Sequence, residues 1–294
     1  PWMRPRTIAC RTDIDEGRYR PSITNMSIRP RRTRRLFVTG GTGFLGRHIV
    51  SGPAGEAWDV VAPGSTAVDL RVRDDVIQAV RDWKPAAIVH TAYRKGDRPS
   101  IVDASAHIAE AAVEVGARLV HVSSDALFAG RDAPYAESDV PSPVHDYGVD
   151  KADAEQIVAA SDPTAVIVRT SLIYGVDQLS GHELAVRDAL TTDSGMTFFT
   201  DEIRSPVLVG DLAAALVDLT ATRDIVGVLH LGGPDALSRA DLARMTARRH
   251  GWDASELRFS TIEASGLRRP SSVVLDSTLA RSHGLGVRGP ASWM

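Results

Sequence analysis

Cysteine is almost missing from this sequence, because Cys10 is the single one among 294 residues. One thiol cannot build an internal disulfide framework or a cysteine-rich zinc site. Apolar runs stay well short of the roughly 18 residues that a membrane-spanning helix needs, and the N-terminal segment has no apolar core of the secretory type. We therefore expect a cytoplasmic protein with no metal site and no membrane partner.

Lysine is also scarce: only three of the 34 basic side chains are lysines, and they are Lys84, Lys95 and Lys151. Residues 1–35 carry ten arginines against three acidic residues, whereas the whole chain has a net charge of −3. Such a basic segment could contact nucleic acid or a membrane surface. It lacks apolar periodicity and interleaved aromatic residues, so we interpret residues 1–34 as a disordered basic extension and expect no nucleic-acid partner.

The sequence does contain a regular alternation of short apolar runs and longer amphipathic ones between residues 35 and 175. Nearly continuous apolar runs are typical of parallel strands that helices cover on both faces. Repeated strand–helix–strand units with right-handed crossovers build a doubly wound parallel sheet. The predicted fold class is therefore an α/β Rossmann fold. Its first strands are predicted in the segments 35–40, 57–63, 86–92, 118–124 and 164–171.

Beyond about residue 175 the alternation is less regular. The segment VGVLHLGG predicts one more strand, and Ser238 and Gly251 are predicted to begin and end a helix. Asp211 is predicted to cap another helix. Because ligands bind outside the carboxyl ends of the strands in open α/β sheets, we expect the later segments to cover that crevice.

The segment VTGGTGFLG joins the first predicted strand to the first helix and spaces Gly40, Gly43 and Gly46 as G-x-x-G-x-x-G. Glycine here permits a tight turn, close approach of the backbone to a diphosphate and close packing of helix on strand. The N-terminus of the helix then offers free N–H groups to the anion. The pattern favours nucleotide binding over a plain turn.

The sequence says less about the ribose end of a dinucleotide. Sites selective for NAD usually place a carboxylate at the tip of the second strand, where this chain has Ala62-Pro63-Gly64-Ser65. The missing acid leaves room for a 2′-phosphate near Ser65, Arg71 or Arg73, although these arginines could equally be solvated surface residues. The cofactor is thus NADP or NAD, with NADP slightly favoured.

Tyr147 and Lys151 are four residues apart at the start of a predicted helix, so both project from one face. A tyrosine with its ordinary pKa of about 10 exchanges protons poorly at neutral pH, and a nearby cation favours the phenolate. Ser123 and Ser124 stand at the end of the fourth strand, where a hydroxyl could hold a substrate carbonyl against the phenol. The three residue types together indicate a proton donor or acceptor placed beside a substrate carbonyl.

These segments, together with VRTSLIYG and RSPVLVGDLA, resemble the extended short-chain dehydrogenase/reductases, also called the NAD-dependent epimerase/dehydratase superfamily. The chain is most similar to the dTDP-4-dehydrorhamnose reductase family, over roughly residues 35–290. The resemblance implies an oxidoreductase that uses NADP or NAD to reduce a keto group of a nucleotide-sugar-like substrate.

The resemblance also implies residue roles. Tyr147 would protonate the keto oxygen, Lys151 would bind the nicotinamide ribose and lower the pKa of Tyr147, and Ser124 would orient the carbonyl. Asp69 and Leu70 would lie by the adenine. The implied cofactor contacts are Gly40, Gly43, Phe44, Leu45, Gly46, Asp69, Leu70, Thr91, Ala92, Tyr147 and Lys151, and the implied substrate contacts are Ser124, Asp125 and Arg204.

The same resemblance divides the chain into parts. Residues 35–175, with return segments near 205–232, correspond to the NAD(P)-binding Rossmann domain. Residues 176–204 and 233–294 correspond to a smaller substrate-binding part.

Some positions depart from the family's pattern. Leu172 stands where a tryptophan is frequent, and Arg47-His48 stands where some bacterial members have a glutamate linked to metal at a dimer contact. Asp103 replaces a frequent asparagine of a proton relay. These differences leave the sugar and the dimer mode open, and a homodimer is one option.

Two alternatives to a reductase stay open. One is a nucleotide-sugar epimerase that keeps NAD bound. The other is a non-catalytic NADP-binding regulator of the same fold, which resembles the regulatory subunit of methionine adenosyltransferase. A 4,6-dehydratase is disfavoured, because Asp125 is followed by Ala126 instead of a glutamate.

Overall fold

The computed structural model describes residues 34–52, 54–55, 58–175, 177–192 and 194–292, so residues 1–33 of the predicted extension lie outside the described residues. The strands are β1 (Arg35–Thr39), β2 (Asp59–Val61), β3 (Ala87–His90), β4 (Arg118–Ser124), β5 (Val166–Thr170), β6 (Ile173–Tyr174), β7 (Thr197–Phe199), β8 (Ile203–Arg204), β9 (Val207–Leu208), β10 (Gly227–Leu231), β11 (Leu237–Ser238) and β12 (Arg258–Ser260). The helices are α1 (Phe44–Ser51), α2 (Arg73–Trp83), α3 (Val102–Val115), α4 (Asp146–Ser161), α5 (Gly181–Thr191), α6 (Val209–Ala221), α7 (Arg239–His250), α8 (Ile262–Ser265) and α9 (Thr278–Ser282).

Six of these strands form one parallel sheet in the order β10-β5-β4-β3-β1-β2. The chain starts in β1, adds β2 on one side, and then crosses to β3 on the other side. This reversal is the topological switch point of a doubly wound sheet, and ligands bind beside it. The predicted α/β Rossmann fold is confirmed, including the late strand β10, which pairs with β5.

The sheet is covered on both faces because its strands alternate two sets of apolar residues. In β1, Leu36 and Val38 face one core, which α1 and α6 complete with Ile49 and Leu212. Phe37 faces the second core, which α2, α3 and α4 complete. Burial on both faces explains why the strand segments are almost continuously apolar.

Two of the three helix ends predicted from single residues are confirmed. Ser238 is the N-cap of α7 and accepts a hydrogen bond from Asp241 N at 2.9 Å, and Gly251 ends the helix with φ +66°. The prediction that Asp211 caps a helix is wrong, because β9 runs directly into α6 and Leu208 occupies the cap position. Asp211 lies in the first turn and accepts hydrogen bonds from Arg288 N and Nε, both at 2.8 Å.

The remaining strands make three small two-stranded sheets beside the main one: β11 with β8, β12 with β7, and β6 with β9. Helices α5 and α7 pack with them around a separate apolar cluster that includes Val186, Phe198 and Leu257. The segment 205–232 returns to the main sheet through α6 and β10. The division into a nucleotide-binding and a substrate-binding part stays a prediction. None of the described helices is long and apolar enough to cross a membrane.

Candidate functional site

A cavity of about 720 Å³ opens at the carboxyl ends of β1, β3, β4 and β5. Parallel strands end at the same edge of a sheet, and the loops that follow them therefore meet there. The cavity wall includes most of the residues predicted from the sequence: Gly40, Gly43, Phe44, Leu45, Gly46, Thr91, Ala92, Ser124, Asp125, Tyr147, Lys151 and Arg204. Asp69 and Leu70 do not line it.

The glycine loop forms a tight turn in which Gly43 N donates to Gly40 O at 2.8 Å. Gly40 has φ +70°, and a Cβ there would lie 2.8 Å from Thr91 Oγ1. A Cβ on Gly46 would lie 2.0 Å from Gly40 O. Helix α1 starts at Phe44 without any side-chain cap, so its first N–H groups stay available to an anion. The loop can therefore hold a diphosphate through its backbone.

The loop after β3 is fastened to the end of β1. Thr39 Oγ1 accepts hydrogen bonds from Thr91 N and Ala92 N, both at 3.2 Å, and Thr91 Oγ1 donates to Thr39 O at 2.7 Å. These bonds place the Thr91–Ala92 backbone next to Gly40. A cofactor bound to the glycine loop would thus meet a second rigid backbone wall.

The arginines that follow β2 pair with carboxylates of the protein. Asp69 accepts hydrogen bonds from Arg71 N and Nε at 3.0 and 2.9 Å, and these bonds lower the pKa of Asp69 to about 2. Arg73 donates to Glu110. The arginines considered for a 2′-phosphate are therefore held by carboxylates in this structure, and the adenine contacts of Asp69 and Leu70 stay a prediction.

Tyr147 and Lys151 reach the cavity because the start of α4 lies directly against the end of β4. His145 is the N-cap of α4 and accepts a hydrogen bond from Gly148 N at 3.0 Å. A Cβ on Gly148 would lie 2.3 Å from Ala126 O, so only glycine allows this approach. Gly148 was not predicted as a site residue. Its signal was its place directly after Tyr147.

The ammonium of Lys151 is buried with 4% of the residue exposed, and Nζ donates to Val122 O at 3.0 Å. Burial lowers the pKa of Lys151 to about 8, although the charge of Glu155 acts in the opposite direction. Nζ also lies 5.0 Å from the centroid of the Tyr93 ring. The lysine is still largely protonated at neutral pH, and its side chain is held in one place.

The phenol of Tyr147 has a pKa well above its ordinary value, because burial and the neighbouring Tyr93 disfavour the phenolate. Hydrogen bonding with Ser124 opposes this shift without reversing it. Burial and Tyr93 thus outweigh any lowering by a nearby cation, and the implied effect of Lys151 on this pKa stays a prediction. Of the two serines considered, Ser124 contacts Tyr147, whereas Ser123 Oγ is buried without a hydrogen-bond partner. Tyr147 is a neutral phenol at pH 7, which is the form that donates a proton.

The far part of the cavity contains a buried cluster of charged side chains. Glu202 accepts hydrogen bonds from Arg269 Nε at 2.6 Å and from Arg204 Nη2 at 3.2 Å. Arg204 Nη1 also donates to Ser271 O at 2.7 Å, and its Nε lies 3.8 Å from Asp125 Oδ2. Arg204 thus reaches the cavity as predicted, but most of its donors already have partners within the protein.

Several cavity residues were missed by the sequence analysis. Tyr93 and Lys95 follow Thr91 and Ala92 in the loop after β3, and that position could have indicated them. No local pattern marks the others, because they come from α5, α7 and the connecting segments. They are His182, Glu202, Arg239 and Arg269. In the part of the chain that the structure describes, no group of three His, Cys, Asp or Glu side chains could hold a metal ion.

Comparison with known proteins identifies a family that this chain resembles. A family profile described as the RmlD substrate binding domain matches residues 34–291. The chain is 31% identical over 265 residues to the dTDP-4-dehydrorhamnose reductase of Mycolicibacterium smegmatis, covering 86% of this chain and 81% of that protein. It is 30% identical over 285 residues to the methionine adenosyltransferase 2 subunit beta of Xenopus laevis, covering 88% and 85%.

A solved structure shares the whole architecture. The crystal structure of dTDP-4-dehydrorhamnose reductase from Bacillus anthracis in complex with NADP superposes with a TM-score of 0.80 at 25% identity. The match covers 88% of this chain and 96% of that one.

Proposed function

The chain belongs to the family of the RmlD substrate binding domain, and from this premise we propose that it is an NAD(P)-dependent short-chain dehydrogenase/reductase that reduces a keto group of a nucleotide-sugar-like substrate. One observation carries the proposal. Ser124, Tyr147 and Lys151 line the same cavity as the glycine loop, so a proton donor and a dinucleotide site share one space.

The residues present fit a nicotinamide dinucleotide. Gly40 and Gly46 sit where a Cβ would press on neighbouring backbone or side-chain atoms, and α1 begins without a side-chain cap. We propose that this loop holds the diphosphate and that the Thr91–Ala92 backbone and Lys151 hold the parts nearer the nicotinamide. When bound, the cofactor supplies the hydride.

Tyr147 supplies the proton in this proposal. Its raised pKa keeps the phenol protonated at neutral pH, so it can donate to the keto oxygen as negative charge develops there. Ser124 is the N-cap of a short 3₁₀-helix, Asp125–Leu127, and this role fixes its hydroxyl beside Tyr147. We assign to Ser124 the orientation of the substrate carbonyl. Lys151 provides the buried positive charge that stabilises the phenolate left after proton transfer.

The test is the oxidation of NADPH by purified protein in the presence of a panel of 4-keto nucleotide sugars. We expect loss of the nicotinamide absorbance with wild type and at least about 100-fold lower kcat in Tyr147→Phe, which keeps the ring and lacks the proton. Lys151→Arg should also lose activity, because a planar guanidinium does not fit the position of a compact ammonium. Full activity in either variant would contradict the assigned roles.

The relatives named methionine adenosyltransferase 2 subunit beta support a second candidate, a non-catalytic NADP-binding regulatory subunit of the same fold. The two candidates differ in turnover. Tight cofactor binding without reduction of any carbonyl in the panel would favour the regulatory subunit. An epimerase would instead interconvert sugar epimers with no net change of nicotinamide absorbance.

A further inference from the structure

A chain of buried hydrogen bonds lies behind the wall that the Thr91–Ala92 backbone forms in the cavity. Thr39 and His90 are the last residues of β1 and β3, and they are partners in the register of these parallel strands. Both are buried, with 1% and 2% of the residue exposed, and Thr39 Oγ1 lies 2.7 Å from His90 Nδ1. A side-chain hydrogen bond therefore joins the ends of the two strands.

The direction of this hydrogen bond follows from the other partners of the Thr39 hydroxyl. A hydroxyl group has two acceptor lone pairs and one proton to donate. Thr39 Oγ1 accepts from Thr91 N and Ala92 N, both at 3.2 Å, and these two bonds use both lone pairs. The proton of the Thr39 hydroxyl is thus left for His90, and Nδ1 of that ring accepts it.

The second ring nitrogen of His90 agrees with this assignment. Since Nδ1 accepts, Nε2 carries the ring proton, and it donates to Ser105 Oγ at 3.2 Å. Ser105 Oγ in turn donates to Ile101 O at 2.5 Å. All bonds of the chain run in one direction, from the Thr39 hydroxyl to Ile101 O, and each atom in it has a partner. A fully satisfied buried network holds its members in one arrangement.

The arrangement requires a neutral imidazole. An imidazolium donates from both nitrogens, so Nδ1 would compete with the Thr91 and Ala92 amides for the Thr39 hydroxyl. Burial, followed by the charge of Lys151, lowers the pKa of His90 to about 3. The ring is therefore neutral in the whole range near pH 7, and Nδ1 remains an acceptor.

The neighbouring His121 is a histidine in similar surroundings with a different role. Its ring lies 5.3 Å from the ring of His90, between centroids, and 1% of the residue is exposed. Neither of its ring nitrogens has a hydrogen-bond partner among the described residues. Of these two buried imidazoles, His90 is the one that is bonded to the Thr39 hydroxyl.

We propose that His90 is a positioning residue for the nicotinamide dinucleotide, and that it acts through the Thr39 hydroxyl on the Thr91–Ala92 backbone. By accepting the proton of Thr39, His90 leaves both lone pairs of that hydroxyl to the two amides and so fixes the loop after β3. Tyr93 follows directly in this loop, and its ring lies 5.6 Å from the Tyr147 ring, between centroids. The inference rests on the proposed function, because it assumes that a dinucleotide lies against this backbone.

The test is titration of purified protein with NADPH, or with NADH if that binds more tightly, followed by the fluorescence of the reduced nicotinamide. His90→Leu removes the acceptor, so the Thr39 hydroxyl turns to another partner and the loop loosens. We expect the cofactor to bind about 5-fold more weakly, as for the loss of one buried hydrogen bond. His90→Asn is close to His90→Leu in size and offers an amide oxygen to Thr39, so it should recover most of the affinity.

A double-mutant cycle separates action through Thr39 from any other effect of the imidazole. Thr39→Val keeps the shape of the side chain and removes the hydroxyl, so it should weaken cofactor binding about as much as His90→Leu does. Adding His90→Leu to Thr39→Val should cost no further affinity. Two independent losses would instead multiply to about 25-fold, and that result would overturn the proposal.

His121→Leu is the matched control, since it removes an equally buried imidazole that has no hydrogen bond to the loop within the described part of the chain. Its cofactor affinity should stay near that of wild type. Equal losses in His121→Leu and His90→Leu would show an unspecific effect of disturbing the core and would overturn the proposal. Thermal unfolding of every variant verifies that it is folded at the temperature of the titration.

The positioning role and the proposed function can fail separately. A protein that reduces a keto sugar, but whose cofactor affinity is unchanged in His90→Leu, would keep the reaction and lose the positioning role. A protein that binds NADPH with the expected dependence on His90 and Thr39, but reduces nothing, would keep the positioning role and lose the reductase. Failure of wild type to bind either NADPH or NADH would overturn both.

Discussion

The two ends of the cavity are built from different parts of the polypeptide. At the glycine-loop end the wall is backbone, held by the contacts of Gly40, Gly43 and Gly46 with neighbouring loops. At the other end it is made of charged side chains, with Glu202 bound to Arg204 and Arg269. A backbone wall binds a ligand that many proteins share, whereas a side-chain wall can be changed residue by residue to suit a different substrate.

The largest effect is expected at the side-chain end, from Glu202→Gln. The change leaves two guanidinium groups without their shared carboxylate, and we expect a loss of about 3 kcal/mol in the free energy of unfolding, measured in urea. NADPH affinity of the folded protein should stay near wild type, because the glycine loop is untouched. A loss of cofactor affinity as large as the loss of stability would contradict the independence of the two ends.

The stabilisation that the Glu202 carboxylate provides should be lost at acid pH. Burial raises the pKa of Glu202, but hydrogen bonding to Arg269 and the charge of Arg204 outweigh it, so the net pKa lies below the ordinary 4.5. The stabilisation is therefore present above pH about 4.5 and lost as the pH falls further. Asp188→Asn, at an exposed ion pair with Arg187, should cost less than about 0.5 kcal/mol.

A second test disturbs the glycine-loop end of the cavity. In Gly46→Ala the new Cβ would lie 2.0 Å from Gly40 O and 2.8 Å from Gly41 Cα, so the loop must move. We expect a loss of about 2 kcal/mol in stability, read from thermal unfolding, and a drop in NADPH affinity of about 10-fold or more.

Gly43→Ala is the control for stability, since its Cβ would meet only Gly40 O, at 3.1 Å. It should cost less than about 1 kcal/mol, near the helix-end penalty for a changed cap. If dTDP binding survives in Gly46→Ala while NADPH binding fails, the two ends act independently. Equal stability losses in the two glycine variants would show that the close contact of Gly46 does not matter.

Apart from the controls, the smallest change in stability is expected at Lys151, which lies between the two ends. Because burial lowers its pKa from 10.5 to about 8, the unfolded chain holds this proton more tightly than the folded one. Lys151→Met should therefore stabilise the protein by about 1–2 kcal/mol at pH 7, after allowing for the lost hydrogen bond to Val122 O, and should abolish activity.

The same shift predicts how stability changes with pH. The cost of charging Lys151 is full below pH about 8 and disappears as the pH rises toward 10.5, so wild type should gain stability over that interval relative to Lys151→Met. Urea unfolding of both proteins from neutral to alkaline pH measures this difference. A constant difference would mean that the ammonium costs nothing to bury.

The sequence predicted the glycine-loop end of the cavity well and the charged end poorly. The six sheet strands were predicted because burial on both faces requires continuous apolar runs, and the glycine loop because its spacing reports close backbone approach. The Tyr147 and Lys151 side chains share a helix face at a spacing that sequence shows directly. Glu202 and Arg269 are 67 residues apart and follow no local periodicity, so nothing in the sequence connected them.

The pKa values also depended on three-dimensional surroundings. The sequence predicted that Lys151 lowers the pKa of Tyr147, because the two are one helical turn apart. In the structure, burial and Tyr93 set the net direction and hold that pKa above its ordinary value. Tyr93 comes from the loop after β3, and only the folded sheet places it 5.6 Å from the Tyr147 ring, between centroids.

The sequence by itself determined the doubly wound sheet, the glycine loop and the presence of a tyrosine–lysine pair, because each depends on residues close together in the chain. Tertiary structure alone decided which charges the cavity leaves unpaired. Arg204 and Arg269 share the carboxylate of Glu202, whereas Arg239 and Lys95 form no ion pair with a carboxylate among the described residues. Charge pairing depends on distances across the fold, and local spacing in the sequence does not encode those distances.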